Sequence, residues 1–448
     1  MQLTLAQVQA ATGAQTATSL NQRVTGWSND SRTLAPGDLY FAIRGERFDG
    51  HAFVTDAFRR GAIAAVVDEP VNGHDQTILL VPNTLKALQR LAHCARRQWG
   101  QPLVAVTGSA GKTTTKEVIA ALLATRFQIG KTIGNLNNHI GLPLTLLRIP
   151  DSAEAAVVEI GMNHAGEIRQ LAAIAAPEIG VVTNVGYAHI EAFNSIDGIA
   201  AAKRELIESL PPSGTAVLNA DDERVLRFRD VHRGRVITYG FSADADVRAT
   251  DAQIGAESVA FTVDGVRFES NLAGRHSISN ILAGLAVARL FELDLHSLVD
   301  AVRALAPGKM RGERCQWRGI TILNDSYNSN PEAVRNMVDV LREEPAQRRI
   351  AVLGEMLELG QMAESLHRNV GAYVARAGVD VLVGVRGVSR LMVEQAKQAG
   401  LADHAALFFE DPEAAGAFLR GFVRPGDAIL FKGSRGIQVE RALATMEA

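Results

Sequence analysis

Cysteine is nearly absent from this chain: Cys94 and Cys315 are the only two in 448 residues. They are too few for a disulfide framework and lack metal-ligand spacing, so both read as unbridged thiols in a reducing compartment. An excess of one charge is missing too. Lys and Arg number 46 against 49 Asp and Glu, a formal net charge of −3, which leaves no basic stripe for nucleic acid or anionic lipid. Any anionic ligand must be held locally. No apolar run approaches the ~20 residues of a membrane span, and Met1-Gln2-Leu3-Thr4-Leu5 has neither the positive flank nor the apolar stretch of a leader. The expected compartment is the cytoplasm. Short-period repeats and low-complexity segments are lacking, and no apolar repeat suggests a subunit seam, so a monomer is expected.

What is present is the balance of a soluble globular protein, 47% apolar and 21% charged residues. The length exceeds one ordinary core and implies two or three domains. The first eighty residues combine a helical pattern, Leu3 to Ala11 ending at Gly13, with brief strand candidates Leu39 to Ile43, Ile63 to Val67 and Ile78 to Val81. An amphipathic helix pattern, Thr84 to Arg97, leads through Pro102 into the apolar run Leu103 to Val106. From there Ala156 to Ile160, Ile179 to Thr183 and Ala216 to Leu218 alternate with helical stretches, the rhythm of a parallel sheet. Val259 to Val263 and Val266 to Ser270 flank Asp264-Gly265, a hairpin signal that predicts an antiparallel addition. A helix over about Ser279 to Leu293 precedes Pro307-Gly308, read as a linker. Beyond it, Thr321 to Leu323, Ile350 to Leu353, Val379 to Val383 and Ala428 to Phe431 predict a Rossmann-like sheet. The expected fold is α/β in three domains: a small N-terminal α/β module (1–82), a central P-loop ATPase-type parallel sheet with added antiparallel strands (83–306), and a C-terminal Rossmann-like domain (307–448).

The strongest chemical signal is Val104-Ala105-Val106-Thr107-Gly108-Ser109-Ala110-Gly111-Lys112-Thr113-Thr114-Thr115, a strand running into a glycine-rich turn and a helix. Gly108 and Gly111 let backbone approach a triphosphate, and the amides from Ser109 and Ala110 onward point at it. Lys112 supplies a point charge, and Thr113 or Thr114 offers a hydroxyl to Mg²⁺. The usual spacing wants glycine where Val106 stands, so this is a shortened variant of the phosphate loop.

Glu159 ends an apolar strand candidate, where open α/β sheets place ligand-binding groups, and a carboxylate there suits Mg²⁺. His189 follows another such strand in Thr183-Asn184-Val185-Gly186-Tyr187-Ala188-His189. Lys203 lies fourteen residues further on, in Ala200-Ala201-Ala202-Lys203-Arg204-Glu205. Taken alone, the histidine reads as a structural group and the lysine as a solvated one.

Together and in this order, the shortened phosphate loop, the Glu159 strand and the His189 to Lys203 spacing resemble the Mur ligase family, over nearly the whole chain. The resemblance implies an ATP-dependent amide-forming ligase with two Mg²⁺ ions, held by Thr114, Glu159, His189 and a Lys203 carbamylated by CO₂. It also implies that Asn280, in Gly274-Arg275-His276-Ser277-Ile278-Ser279-Asn280, contacts adenine, although Ser277 stands where the family more often has asparagine. Arg311 is placed near the γ-phosphate and Asp325 near the ribose. Asp325-Ser326-Tyr327-Asn328-Ser329-Asn330-Pro331 and Leu353-Gly354-Glu355-Met356-Leu357-Glu358-Leu359-Gly360 look like the family member that adds D-alanyl-D-alanine to a UDP-sugar tripeptide. The Asp-Asn-Pro-Arg signature of the diaminopimelate- or lysine-adding members is absent.

By the same resemblance the N-terminal module binds the UDP-sugar, through Ser31, Arg32 and Arg47, and Asn135, Asn137 and Asn138 approach its peptide, with Tyr327, Asn328 and Asn330 beside them. Without it, these segments read as polar loops and an Asn-Pro turn. Lys432-Gly433-Ser434-Arg435 is similar to the family's C-terminal turn and equally to a capped helix start. The implied partners are ATP, the UDP-sugar tripeptide and D-Ala-D-Ala, with Lys112, His189, Lys203 and Arg311 as the catalytic groups. Competing readings are another amide-forming Mur-type ligase, folylpolyglutamate synthase, or a P-loop nucleotide switch; the Asn-Lys-x-Asp guanine signature a switch would carry is missing.

Overall fold

The computed structural model describes residues 1–16, 20–45, 48–71, 73 and 75–448. After a two-residue antiparallel pair, Leu3–Thr4 with Arg23–Val24, four parallel strands form the first larger sheet, in the order Gly26–Ser28, Asp38–Phe41, Ala64–Val67 and Thr77–Leu80. The last three match the apolar runs read from sequence. The first, three residues long at a sheet edge, has no periodicity to show. The first helix starts at Leu5 rather than Leu3, because Thr4 caps it in a reciprocal box with Gln7, and Gly13 closes it at φ 71°. Helix Thr84–Trp99, capped by Asn83 and ended by left-handed Gly100, packs on both the first helix and helix Gly141–Arg148, and so joins the first unit to the second.

The central sheet has seven parallel strands, in the order Val247–Arg248, Arg235–Gly240, Thr215–Asn219, Ile179–Val182, Leu103–Thr107, Ala155–Glu159 and Ile129–Lys131. Leu103–Thr107, Ala155–Glu159 and Thr215–Asn219 are buried at every residue, as continuous apolar runs under helices on both faces must be. The chain enters this sheet in its interior at Leu103. It travels to the edge at Ile129, returns at Ala155, then crosses over to Ile179 and builds outward on the other side. Direction therefore reverses around Leu103–Thr107, and the loops leaving its carboxyl end part in opposite directions and open a crevice.

A separate antiparallel sheet follows, Thr250–Ile254, Val259–Val263 and Val266–Ser270, with Asp264 at φ 49° and Gly265 at φ 81° turning the hairpin. Helix Arg275–Leu290 begins four residues before the sequence expectation, at the turn made by Gly274 (φ 85°). It is buried almost all round and lies on helix Lys112–Leu123, the helix that carries the phosphate loop. Pro307-Gly308 falls in the irregular connection between helix Val299–Arg303 and strand Glu313–Trp317.

The C-terminal sheet runs Glu313–Trp317, Ile320–Asn324, Asp427–Lys432, Arg348–Gly354, Val381–Val385 and Ala406–Phe409. Its first pair is antiparallel and the others are parallel. The strand expected at Val379 starts two residues later, because Gly378 (φ 74°) and Asp380 still belong to the turn. Among the described residues no helix is long and apolar enough to cross a membrane.

Gly284 lies in the contact between helices Arg275–Leu290 and Lys112–Leu123: a Cβ there would stand 2.6 Å from Val118 Cγ1 and 3.0 Å from Leu122 Cδ1. Gly284→Val is expected to cost about 1–3 kcal/mol through overpacking. It should also weaken nucleotide binding by shifting the helix under the phosphate loop. Denaturant unfolding and ATP calorimetry on the same variant check both effects, and an unchanged midpoint would show that the helices have slack.

Candidate active site

Leu103–Thr107 delivers the loop 108–111 to the crevice, and the first turn of helix Lys112–Leu123 leaves amides without intrahelical partners there. The loop is shaped by the neighbouring strand end. Ala110 N donates to Asn184 Oδ1 at 2.8 Å, while Thr183 Oγ1 (2.6 Å) and Asn184 Nδ2 (3.1 Å) donate to Ala110 O. Ser109 Oγ bonds both to Gly186 O and to Gly186 N, at 2.9 and 2.8 Å. The two loop glycines have no room to be anything else. A Cβ on Gly108 (φ 151°) would sit 1.8 Å from Thr183 Oγ1, and one on Gly111 (φ 79°) would sit 2.7 Å from Asn280 Oδ1.

Glu159, 3% exposed at the end of the adjacent strand, has both carboxylate oxygens engaged. Thr113 Oγ1 donates to Oε2 and Asn137 Nδ2 to Oε1, each at 2.8 Å. The resemblance gave the hydroxyl's part to Thr114; the hydroxyl that meets the carboxylate is that of Thr113, one residue earlier, and Thr114 lines the same cleft. Lys112 folds back onto Gly108 O at 2.8 Å. Burial lowers its affinity for a proton, Glu159 restores part of it, and Arg311 lowers it again.

Lys203 is not on a solvated face. It projects from helix Ile196–Glu208 into the interior, 2% exposed, and among the described residues no hydrogen bond or ion pair engages its amine. Burial pushes its pKa well below the usual lysine value, and the nearby Lys112 charge pushes the same way. His189 lines the cleft at the start of a short turn, in the left-handed conformation (φ 60°). Its Nδ1 meets the carboxylate of Glu358, whose own pKa is lowered by that hydrogen bond against the opposing effect of burial.

The C-terminal unit supplies the opposite wall of this cleft of about 910 Å³. The Arg311 guanidinium lies over the Tyr327 ring, 3.9 Å from its centroid. Asp325 pairs with Lys432, which also donates to Asn328 O at 2.9 Å. Asn330 caps helix Pro331–Glu343 through Ala333 N and reaches across to Ser109 O at 3.4 Å, touching the phosphate loop itself. Tyr187 N donates to Glu332 Oε2 at 3.2 Å beside it.

Of the residues singled out from sequence, Ser109 to Thr114, Asn135, Asn137, Asn138, Glu159, His189, Asn280, Arg311, Asp325, Tyr327, Asn328 and Asn330 line this one cleft. Asn138 does so while capping helix Gly141–Arg148 through Gly141 N at 2.8 Å. Gly108 and Lys203 lie behind its surface. Ser31 and Arg32 are elsewhere, in the N-terminal unit: Ser31 is buried, and Arg32 is exposed and forked onto Asp30 at 2.9 and 2.7 Å. Arg47 lies outside the described residues. A second cluster in that unit, Asp49, His51 and Glu69, has the spacing of a cation site, but Arg44 is already in it, paired with Asp49, Asp68 and Glu69.

Sequence reasoning missed Thr183 and Asn184 as loop-shaping groups, although a polar pair directly after an apolar strand was the available signal. It also missed Glu358, whose partner is 169 positions away, and Phe241, whose ring lies under the Arg275 guanidinium at 3.5 Å beside the start of the Asn280 helix.

Profiles of three Mur ligase domains match this chain: the family's catalytic domain over residues 23–122, its middle domain over 106–288, and its glutamate ligase domain over 310–435. A UDP-N-acetylmuramoyl-tripeptide–D-alanyl-D-alanine ligase of Synechocystis is 40% identical over 93% of this chain and 90% of its own length. The Bacillus subtilis protein of the same name is 34% identical over 93% and 92%. Among solved structures, MurF from Acinetobacter baumannii superposes with a TM-score of 0.93 at 29% identity over 100% and 99% of the two chains. MurF ligase from Thermotoga maritima, in complex with ADP, gives 0.83 at 29% over 95% and 97%. A folylpolyglutamate synthase of Mycobacterium tuberculosis shares the fold at 17% identity, with a TM-score of 0.64 over 81% of this chain.

Since Thr113 and not Thr114 bonds to Glu159, Thr113→Ala should weaken Mg²⁺-dependent ATP binding by at least ~10-fold, and Thr114→Ala should leave it near wild type. Calorimetric titrations with and without Mg²⁺ decide; the reverse ranking would return the part to Thr114.

Proposed function

The chain belongs to the Mur ligase family, and we propose that it joins D-alanyl-D-alanine to a UDP-N-acetylmuramoyl-tripeptide at the expense of ATP, giving the pentapeptide precursor of peptidoglycan. The observation that carries this reading is the assembly around Glu159. A glycine loop with Lys112, a hydroxyl and a carboxylate from the central sheet face Arg311, Asp325 and Asn330 from a second domain. We infer also a cytoplasmic reaction, where the co-substrate ATP is held, and an enzyme acting as a monomer of three domains with boundaries near residues 82 and 306.

A carboxylate is a poor electrophile toward an amine, so the tripeptide's terminal carboxylate first takes the γ-phosphoryl group, giving an acyl phosphate and ADP. Loop amides and Lys112 hold the phosphates, Arg311 faces Lys112 across the cleft, and together they offset the charge on the transferring oxygens. The amine of D-Ala-D-Ala then attacks the acyl carbon, and phosphate leaves as the amide forms. The acyl phosphate must be kept from water, and the C-terminal wall, touching the loop through Asn330, provides that exclusion. Asn280 stands by Gly111 for the adenine and Asp325 for the ribose. Asn135, Asn137 and Asn138 approach the peptide, with Tyr327 and Asn328 facing them, and Ser31, Arg32 and Arg47 serve the UDP-sugar.

The donor set fits Mg²⁺, a hard cation that prefers oxygen ligands: the Glu159 carboxylate, the Thr113 hydroxyl and Lys203 converted to a carbamate would hold it through oxygen, with the His189 ring as a single nitrogen donor. Bound there, Mg²⁺ neutralises phosphate charge. Lys203 is suited to that conversion, because its depressed pKa favours the free amine. The amine nitrogen attacks the carbon of CO₂ and loses a proton, leaving an anionic oxygen donor. The carbamate also sets an anion beside Lys112, whose charge disfavours a protonated Lys203.

Phosphate release from ATP, measured with UDP-N-acetylmuramoyl-tripeptide and D-Ala-D-Ala and with each left out in turn, tests the reaction. Release should require both, and replacement of the dipeptide by a single amino acid would reassign the donor. Lys203→Met should abolish turnover while leaving Tm unchanged or higher, because it removes a buried amine without a partner. With ¹³C-labelled bicarbonate, a carbamate resonance should appear in the wild type and vanish in that variant; no resonance in the wild type would sink the carbamate.

A further inference from the structure

Two residues that are neither glycine nor asparagine hold left-handed backbone conformations and face each other across the domain boundary. His189 (φ 60°) belongs to the central domain and Glu358 (φ 63°) to the loop after C-terminal strand Arg348–Gly354. The Glu358 carboxylate meets His189 Nδ1, and Glu191 N donates to Glu358 O at 3.1 Å. Gly360 (φ 50°) completes the contact: a Cβ there would stand 3.0 to 3.2 Å from the Glu191 backbone and side chain.

Stability does not account for this arrangement. The Glu358 side chain is 56% exposed and that of His189 24%, and a carboxylate–imidazole contact so exposed contributes little to folding, whereas positive φ at two such residues is unfavourable. Direction is the more informative feature. His189 lines the cleft and Glu358 does not, so the carboxylate approaches the ring from behind. It occupies Nδ1 and leaves Nε2 as the nitrogen with a free lone pair.

We infer that Glu358 is a positioning residue: docking of the C-terminal domain delivers its carboxylate to His189 Nδ1, which fixes the imidazole's tautomer and orientation toward the cation and phosphates. A carboxylate behind a ligating histidine is a common way to orient a metal ligand. Here it comes from the other domain, so docking of the C-terminal domain also completes the centre where the acyl phosphate forms. Premature phosphoryl transfer, in a site still open to water, is thereby disfavoured. This inference rests on the ligase reading and on the metal role of His189.

The test compares wild type, Glu358→Ala and Glu358→Gln, using Mn²⁺ binding to the ADP complex followed by electron paramagnetic resonance, together with steady-state kinetics. Glu358→Ala should weaken Mn²⁺ binding and lower kcat, each by about 10–100-fold, with the KM for D-Ala-D-Ala changed less than about twofold. Glu358→Gln should recover part of both losses, because its amide oxygen still accepts from Nδ1–H. If Mn²⁺ affinity is unchanged in Glu358→Ala, or if Glu358→Gln is as impaired as Glu358→Ala, the inference is overturned. Wild type without dipeptide-dependent phosphate release would instead overturn the ligase reading, so the two failures are distinguishable. Should Glu358→Ala fail to fold, the near-isosteric Glu358→Gln alone decides: Mn²⁺ affinity equal to wild type overturns the inference, and a partial loss supports it.

Discussion

A carboxylate buried as deeply as Glu159 is tolerable only where donors or cations answer it, and the architecture around it provides that answer. Thr113 and Asn137 hold its two oxygens, and Lys112 lies near enough for Glu159 to raise its proton affinity. Three different excursions of the chain meet at this point: the phosphate loop, the Lys131 to Asn138 segment and the strand end. They meet because the central sheet reverses its direction of growth at Leu103–Thr107. Elsewhere in such a sheet, consecutive loops are covered by the next helix.

Around that carboxylate the site carries more positive charge than the chain as a whole. Lys112 and Arg311 gather near Glu159 in a protein whose net charge is −3. Holding cations together in a buried place costs folding free energy, and a polyphosphate is the ligand that relieves the cost. The close packing beneath the loop serves the same end. Gly108 against Thr183, Gly111 against Asn280 and Gly284 against Val118 leave the loop little freedom to relax away from its charge.

Neither domain completes the site alone. The central domain brings the phosphate loop, Glu159 and His189, while Arg311, Asp325, Asn330 and Glu358 come from beyond the Pro307-Gly308 connection. For a reaction through a water-labile acyl phosphate, that division makes physical sense, because chemistry can then be restricted to the arrangement in which both walls meet. A nucleotide switch has no comparable need for a second wall set with Arg and Asp.

Local chemistry made much of this readable in advance. The phosphate loop, the buried apolar strands and the Asp264-Gly265 hairpin are each set by neighbours within a few residues, so sequence alone determined them. The edge strands Gly26–Ser28, Ile129–Lys131, Glu313–Trp317 and Ala406–Phe409 were not legible, since short edge segments depend on the strand beside them rather than on their own pattern. Lys203 shows the same limit at the site. On an alanine-rich helix its sequence reads as solvated, and only the packing of helix Ile196–Glu208 on the sheet turned that face inward and removed water from the amine. Glu358 is the furthest case: its partner lies in another domain. Which side chains exist was written in the chain; which of them lose solvent and meet across a domain boundary was decided by tertiary structure, because desolvation and long-range contact are properties of the assembled interior.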